Sequence, residues 1–388
     1  MKPIALLLLL PAFAFAAPDE DLLGKAENYP VCSPSVGLSQ PRCLVGQHSH
    51  MDEILPARRI ARGSSTKALN TRARAIDLGV DEFLKANRNT GLLILQGDTV
   101  LAERYQYDRR ADERMASWSM AKTMVAMLVG IAIHEKHIGS VDDLVSKYVT
   151  DLAGHPYGET KLRDLLTMSS GVRFIEGEGS ADIRNLVDAT IYRKGPGGVE
   201  SVDGYRQRAA PPGTKFVYAS AETQVLGLVL RAATGRALAD YLSEKIWQPM
   251  GAGADATWLI DASGQEIAYC CMNATLRDWA RVGMLLANGG ALDGKQIIPA
   301  EWVKAATQAQ GPHLKVGVAT RNNGYGYQTW LIDNDGRFAL LGLRGQAVFV
   351  DPKTKLVVVH TAVHNANDTA ARARQFQFFY ATLRKLES

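Results

Sequence analysis

The chain of 388 residues carries a formal net charge of +4, and 46% of its residues are hydrophobic while 22% are charged. These values are ordinary for a globular protein, and the length favours a two-lobed enzyme or two interleaved subdomains. A nucleic-acid-binding role is not indicated, because the sequence has no basic run and no basic stripe interleaved with aromatic residues.

The first sixteen residues have the pattern of a cleaved secretory signal. Lys2 precedes an almost wholly apolar run over 4–15, and Ala14 and Ala16 fit the small-x-small pattern of a cleavage site. The run is too short to span a bilayer, so we expect no stable membrane insertion, with an anchored form as the alternative if cleavage does not occur. The sequence therefore predicts a signal peptide over 1–16 and a secreted or periplasmic protein.

The next segment, 17–55, is rich in Pro, Ser and Gly and is predicted to form an extended N-terminal arm. In an oxidising compartment we expect Cys32 and Cys43 to pair within it. Cys270 and Cys271 are adjacent, and because a disulfide between neighbours is strained and rare, free buried thiols are expected there. Four cysteines permit three pairings, and the sequence does not choose between them.

Apolar periodicity and turn residues predict strands near both ends of the chain and helices between them. The predicted elements are, in chain order, a helix over 68–87, a hairpin of 92–96 and 99–105, a helix from 119, a helical region over about 140–250, a helix over 275–288, short strands over 325–332, 338–341, 347–350 and 356–362, and a helix over 368–386. This order predicts an α+β fold in which one sheet is built from distant parts of the chain. The mainly helical lobe, about 140–250, is then inserted into it.

The start of the helix at residue 119 combines a serine with a lysine three residues later. Ser119 and Lys122 then lie on the same helix face, and the apolar residues that follow indicate a buried helix. Burial lowers the pKa of a lysine, and only the neutral amine can accept a hydroxyl proton. The free N–H groups at a helix start also stabilise negative charge. The pattern predicts a nucleophile–base pair, although the same spacing also begins ordinary surface helices.

Two later stretches carry further candidate residues. Tyr218 and Ser220 follow a Pro-Gly turn, and a tyrosine beside a lysine can relay protons because the cation lowers its pKa. Gly342 and Gly345 precede a predicted strand, where glycines permit close approach of a ligand to the main chain and an exposed N–H could act as an oxyanion donor. The alternative for Tyr218 is an ordinary tyrosine of the hydrophobic core, and the alternative for the glycine stretch is a tight turn between two strands.

The order of these motifs resembles the serine β-lactamase and penicillin-recognising family, for which Ser-x-x-Lys is a signature. The tyrosine makes the chain similar to the class C branch, which includes D,D-peptidases and family VIII carboxylesterases. Three stretches, 165–172, 240–251 and 273–281, resemble 6-aminohexanoate-dimer hydrolases. The resemblance covers roughly 55–385. It implies a β-lactamase/transpeptidase-like catalytic domain over 56–388, with an antiparallel sheet flanked by helices.

The resemblance also implies roles for individual residues. Ser119 matches the acylated nucleophile, Lys122 its base partner, and Tyr218 the residue that protonates the leaving group and later activates water. The oxyanion hole would use the main-chain N–H groups of Ser119 and Gln346. Residues suggested for substrate binding are Gly345, Arg344, Ser220, Asn273 and Asp182. No metal and no organic cofactor are implied.

The sequence departs from the family pattern at three points. Leu343-Arg344-Gly345 replaces the usual Lys-Thr/Ser-Gly, so the lysine that helps to hold a β-lactam carboxylate is absent, although Arg344 could supply a cation. The class A general-base glutamate has no clear counterpart. Residues 173–182 lack the tyrosine that dimer hydrolases carry in this loop, where Asp182 could bind a substrate amine.

These observations predict a secreted serine hydrolase that cleaves small esters or linear amides. The alternatives are a D,D-peptidase or weak β-lactamase and a non-catalytic protein that binds cell-wall peptides. The sequence determines neither the physiological substrate nor the oligomeric state.

Overall fold

The structure is a computed structural model that describes residues 16–72, 76–177 and 179–387. The predicted signal peptide, apart from Ala16, lies outside the described residues. Within the described ranges, no helix is both long and apolar enough to cross a membrane.

The helices are α1 (Pro34–Gly37), α2 (Leu44–Ser49), α3 (Met51–Ile54), α4 (Val80–Lys85), α5 (Met120–His134), α6 (Leu162–Leu166), α7 (Ala181–Thr190), α8 (Ser220–Thr234), α9 (Leu238–Leu242), α10 (Leu276–Ala287), α11 (Ala300–Ala306) and α12 (Thr369–Glu387). The strands are β1 (Ala57–Ile60), β2 (Asn70–Thr71), β3 (Asn89–Gln96), β4 (Thr99–Tyr105), β5 (Met115–Ala116), β6 (Ala256–Leu259), β7 (Met272–Ala274), β8 (Ala291–Leu292), β9 (Lys295–Gln296), β10 (Gly324–Tyr325), β11 (Trp330–Leu331), β12 (Phe338–Leu341), β13 (Ala347–Asp351) and β14 (Leu356–Ala362).

An eight-stranded sheet joins the two ends of the chain, as the strand pattern predicts. Its order is β10-β11-β12-β13-β14-β3-β4-β2, and its neighbours are antiparallel except for the parallel pair β2 and β4. Successive residues of β3 alternate between two cores: Leu93 and Leu95 pack on the side of α10, whereas Leu92 and Ile94 pack with residues of α4 and α12. Burial of both faces fixes the register of the central strands.

A smaller sheet and a buried helix position the candidate nucleophile. The second sheet has the order β1-β6-β7-β5, and β5 leads almost directly into α5. Residues 120–132 of α5 are buried, and α8 packs against this helix. At Gly130 the ring of Trp302 lies so close that an added Cβ would be 2.2 Å from it, while the indole N–H donates to the Ala126 carbonyl at 2.9 Å. Contacts along its length therefore hold α5 in place within the protein.

The segment 17–55 is not extended, in contrast to the expectation. It forms α1, α2 and α3 and buries Leu23, Tyr29 and Val45 in a small hydrophobic cluster. The apolar residues outweigh the Pro, Ser and Gly content because they find partners in the body of the protein, including Tyr107 and Val363.

The cysteines form two disulfides. The expected bond between Cys32 and Cys43 is confirmed. The expectation of free thiols at Cys270 and Cys271 is wrong, since these neighbours are bonded to each other. Cys271 adopts a φ of 71°, a left-handed conformation that accompanies this close pairing.

The single helix predicted over 68–87 is also wrong. Its first part contains β2, which pairs with β4, and among the residues of this segment that the structure describes only those of α4 are helical. Gly79, with a φ of 72°, marks the start of α4. Pairing with the sheet edge therefore outweighs the helical propensity of the segment.

Candidate active site

The backbone before α5 turns sharply to present Ser119. Trp118 has a φ of 45°, a conformation rare for a bulky side chain, and Ser119 is the N-cap of α5. The Ser117 N–H donates to the Met272 carbonyl at 2.7 Å, which fixes the strand end just before the turn. No acceptor among the described residues takes the main-chain N–H of Ser119. The turn therefore exposes both the hydroxyl and the amide of this residue.

His48 supports the turn from the N-terminal segment. The Trp118 indole N–H donates to His48 Nε2 at 2.9 Å, so Nδ1 carries the ring proton and donates to the Leu44 carbonyl at 2.7 Å. Burial lowers the pKa of His48 to about 3, which keeps the ring neutral. No local pattern in the sequence indicates this contact, because Trp118 and His48 lie 70 residues apart in the chain.

Lys122 is buried and holds three partners. Its Nζ donates to Ser119 Oγ at 3.0 Å, Ser220 Oγ at 3.1 Å and the Tyr269 carbonyl at 2.8 Å. Burial lowers the pKa of Lys122 to about 8, although the negative charge of Glu176 opposes this shift. A substantial fraction of the amine is therefore neutral in mildly alkaline water.

Glu176 is a site residue that the sequence analysis missed. Its carboxylate accepts hydrogen bonds from the Ser220 N–H at 2.7 Å and the Ser220 hydroxyl at 2.6 Å. Burial raises the pKa of Glu176, and the charge of Lys122 and the two bonds from Ser220 oppose the rise. A continuous path of polar groups thus runs from Ser119 through Lys122 and Ser220 to Glu176.

Glu176 lies in the loop that follows Ser169-Ser170-Gly171, the loop in which the resemblance implies a tyrosine. A second buried carboxyl anchors the loop: Glu222 accepts the Ser170 hydroxyl at 2.5 Å, and burial raises the pKa of Glu222 well above its usual range. The sequence shows that this loop contains an acidic residue. It does not show that this residue lies close to Ser220, because no periodic pattern specifies where a loop residue lies.

Tyr218 lies beside Ser119, but its electrostatic environment differs from the expectation. Lys122 Nζ is 5.1 Å from the centre of the Tyr218 ring, which stacks on Trp330 at 5.4 Å. Burial and the negative charge of Glu176 raise the pKa of Tyr218, while a hydrogen bond with Ser119 lowers it. The predicted lowering by lysine is wrong because loss of water outweighs the nearby cation. Tyr218 is thus a neutral phenol at physiological pH.

Leu343-Arg344-Gly345, the stretch that replaces the family's Lys-Thr/Ser-Gly, forms a tight turn. Gly345 has a φ of 94°, and an added Cβ there would lie 2.3 Å from the ring of His364. The Arg344 guanidinium donates to the carbonyls of His364 at 3.1 Å and Leu38 at 2.9 Å. The N–H of Gln346 has only a long 3.4 Å contact to the Leu343 carbonyl. This N–H is therefore weakly engaged within the protein.

A cavity of about 780 Å³ opens beside Ser119, and most of its wall is apolar. Tyr218, Ser220, Glu176 and Arg344 also line it. Within the part of the chain that the structure describes, no three His, Cys, Asp or Glu side chains cluster as a metal site requires. The arrangement suits nucleophilic attack by a hydroxyl whose proton passes to a buried amine.

A family model described as "Beta-lactamase" matches residues 80–381. The chain belongs to the beta-lactamase family. This member is therefore a serine hydrolase with the β-lactamase/transpeptidase-like α+β fold, as predicted.

Similar proteins include the "6-aminohexanoate-dimer hydrolase" of Paenarthrobacter ureafaciens, which is 27% identical over 322 residues and covers 80% of each chain. A solved structure described as "Putative 6-aminohexanoate-dimer hydrolase from Bacillus anthracis" superposes with a TM-score of 0.82 at 25% identity, over 90% of this chain and 96% of the other. A family VIII carboxylesterase shares the fold, with a TM-score of 0.62 at 19% identity, over 81% of this chain and 99% of the other.

The structure of this beta-lactamase-family member does not bring all predicted site residues to the cavity. Gly345 and Gln346 lie next to the wall rather than on it. Asn273 is buried and donates to Thr257 Oγ1 at 3.2 Å and the Cys271 carbonyl at 3.3 Å. Asp182 accepts the Ile175 N–H at 2.9 Å and is absent from the described wall. The suggested amine-binding role of Asp182 is thus not reflected in its contacts.

Proposed function

We propose that this chain is a secreted serine hydrolase that cleaves small carboxylic esters and linear amides through an acyl-enzyme on Ser119. The observation that carries the proposal is the 3.0 Å hydrogen bond between Lys122 Nζ and Ser119 Oγ beside a largely apolar cavity. Support for amide cleavage comes from a relative whose name is 6-aminohexanoate-dimer hydrolase. Support for secretion comes from the N-terminal signal pattern and the two disulfides, since disulfides persist in oxidising compartments.

In acylation, neutral Lys122 takes the hydroxyl proton as Ser119 Oγ bonds to the substrate carbonyl carbon. The N–H groups of Ser119 and Gln346 are assigned to the developing oxyanion. Collapse of this intermediate breaks the bond to the alcohol or amine leaving group. Tyr218 protonates the leaving group, and the proton held by Lys122 restores the phenol.

In deacylation, water attacks the acyl carbon and its proton passes to Lys122, neutral again. The bond to Ser119 Oγ breaks and the carboxylic acid leaves, while the proton held by Lys122 passes to Oγ and regenerates the serine hydroxyl and the neutral amine. Burial raises the pKa of Tyr218, so the phenol carries its proton at neutral pH, as a proton donor must. Glu176 and Ser220 hold the amine in place and do not contact the reacting carbonyl in this scheme.

The alternatives have less support. β-Lactam and D,D-peptide ligands carry a carboxylate for which the family uses a lysine that is absent here, and the Arg344 guanidinium donates to main-chain carbonyls instead. A non-catalytic binder has no need of a buried lysine beside a serine hydroxyl.

A serine-directed fluorophosphonate tests the proposal. We expect covalent labelling of the peptide that contains Ser119, with parallel loss of turnover of a short-chain aryl ester and a linear amide, and little cleavage of a chromogenic cephalosporin. Absence of labelling and turnover would favour a binder, and dominant cephalosporin cleavage would favour a β-lactamase.

Secretion is tested separately, by N-terminal sequencing of the exported protein, which should begin at Ala17. A cytoplasmic chain that retains residues 1–16 would contradict secretion.

The pH profile should report the titration of Lys122. Because the base must be neutral and burial lowers its pKa to about 8, kcat/KM for a neutral ester should rise with pH between about 6 and 9. Glu176→Gln removes a negative charge that favours the ammonium, so the rising limb should move to lower pH. A rise that stays in place, or moves to higher pH, in this variant would contradict the assignment.

A further inference from the structure

The charged groups on the cavity wall are mostly positive. Among the described residues that line it, the arginines are Arg184, Arg344 and Arg372, and the one carboxylate is Glu176. Glu176 already accepts two bonds from Ser220 and acts electrostatically on Lys122. Little negative charge therefore remains on the described wall to attract a substrate cation.

Arg372 is a cation without an acidic partner within the described residues. Its guanidinium donates to the carbonyls of Gly342 at 2.6 Å and Gln346 at 3.3 Å, and to Gln375 Oε1 at 2.9 Å. Burial lowers the pKa of Arg372 to about 10, which leaves it charged at neutral pH. A charge in a poorly solvated wall acts on the cavity with little screening.

Arg184 is placed differently. It is solvent-exposed and also belongs to the wall, so it lies where the cavity opens. Its side chain forms no hydrogen bond or ion pair with any described residue. Its guanidinium is thus available to a ligand, and a planar guanidinium binds a carboxylate through two parallel hydrogen bonds.

An apolar surface leads away from Arg184 along α7. One face of α7 carries Arg184, Val187 and, at the C-cap, Ile191, because these residues are spaced by three and four positions. Ile183 lies beside them. From Ile183 to Ile191 this face is about 12 Å long. It matches an extended hydrocarbon chain rather than a short acyl group.

We propose that the preferred substrates are esters or amides whose medium-length acyl chain ends in a carboxylate, and that Arg184 binds this carboxylate. The acyl chain lies against Val187 and Ile191, with its reacting carbonyl at Ser119. This inference rests on the proposed function and specifies its substrate class. A substrate whose acyl chain ends in an amine is not expected to be preferred, since Asp182 accepts the Ile175 N–H and does not line the described cavity.

Three p-nitrophenyl esters with eight-carbon acyl chains test the inference. They end in a methyl group, a carboxylate or an ammonium group, and share one leaving group. We expect kcat/KM for the carboxylate-ended ester to exceed that for the ammonium-ended ester by about tenfold or more, with a preference that shrinks at high salt. Arg184→Gln should lower kcat/KM for the carboxylate-ended ester about fivefold, mainly through KM, and leave the neutral ester within twofold.

Arg184→Glu should reverse the preference in favour of the ammonium-ended ester. Arg384→Gln provides the control, because Arg384 is exposed on α12 and does not line the cavity. Equal turnover of the two charged esters, or an equal loss for all three in Arg184→Gln, would overturn this inference while the neutral ester still supports the proposed function. Absence of turnover for every ester would overturn the proposed function and this inference with it.

Discussion

Lys122→Met is expected to lower kcat/KM for a neutral aryl ester by about 10³-fold, because the variant lacks the base that takes the Ser119 proton. Methionine is close to lysine in length, so the apolar surroundings of α5 can accommodate it. Lys304→Met, which changes an exposed lysine of α11, should retain full activity. Retained turnover in Lys122→Met would remove Lys122 from the mechanism.

The same variant should gain stability at neutral pH. Burial lowers the pKa of Lys122 from 10.5 to about 8, so folding disfavours its proton. This shift lowers the free energy of unfolding by its full amount below pH 8 and by nothing well above the pKa of 10.5 in the unfolded chain. At pH 7 the loss of stability is roughly 3 kcal/mol. Loss of the bond to the Tyr269 carbonyl offsets part of this gain. Urea titration should therefore show Lys122→Met more stable by roughly 1–2 kcal/mol at pH 7, with less or no gain at pH 10.

Ser119→Ala is expected to abolish turnover, with a loss of at least about 10⁴-fold in kcat for every substrate that the wild type cleaves. The Ser119 hydroxyl is the group that becomes acylated, and it is held by a hydrogen bond with Lys122 Nζ. Alanine has no atom that can take over this role. Circular dichroism and unfolding should remain close to wild type, since the main-chain turn at Trp118 does not depend on this hydroxyl.

Ser65→Ala, at an exposed serine outside the cavity, is the matched control for Ser119→Ala. Mass spectrometry of both proteins after mixing with excess ester should reveal acylated protein only in the variant that retains Ser119. Turnover by Ser119→Ala within tenfold of wild type would mean that another group is the nucleophile.

Local patterns in the sequence predicted the elements that carry the site. The hairpin of β3 and β4 follows from two β-rich runs on either side of the turn at Gly97-Asp98, and α5 follows from a long apolar run after Ser119. That one sheet contains both β3 and β14 follows from the strands predicted near both ends of the chain, whereas their direct pairing is known only from the structure. These features have a signal in the local sequence that can be read without knowledge of the residues they contact.

Other features depend on contacts between distant segments and have no such signal. Glu176 meets Ser220 only because the loop after Gly171 folds over α8. His48 is buried and accepts a hydrogen bond from the indole N–H of Trp118, 70 residues later in the chain. The raised pKa of Tyr218 reflects burial first and then the charge of Glu176, neither of which is visible from the nearby lysine. Tertiary burial therefore decided the points at which the sequence-based expectations failed.

The two ends of the described chain meet at the cavity: Leu38 and Ser39 from the N-terminal segment and Asn367 and Arg372 from the C-terminal region all contribute to its wall. For protein engineering, this makes the Pro- and Ser-rich N-terminal segment an unsuitable place for trimming. An expression clone shortened to the family-matched core at residue 80 would remove His48 and leave the cavity open on one side. Libraries that seek new specificity can instead diversify positions 38 and 39, where changes alter the entrance while α5 and its serine keep their support.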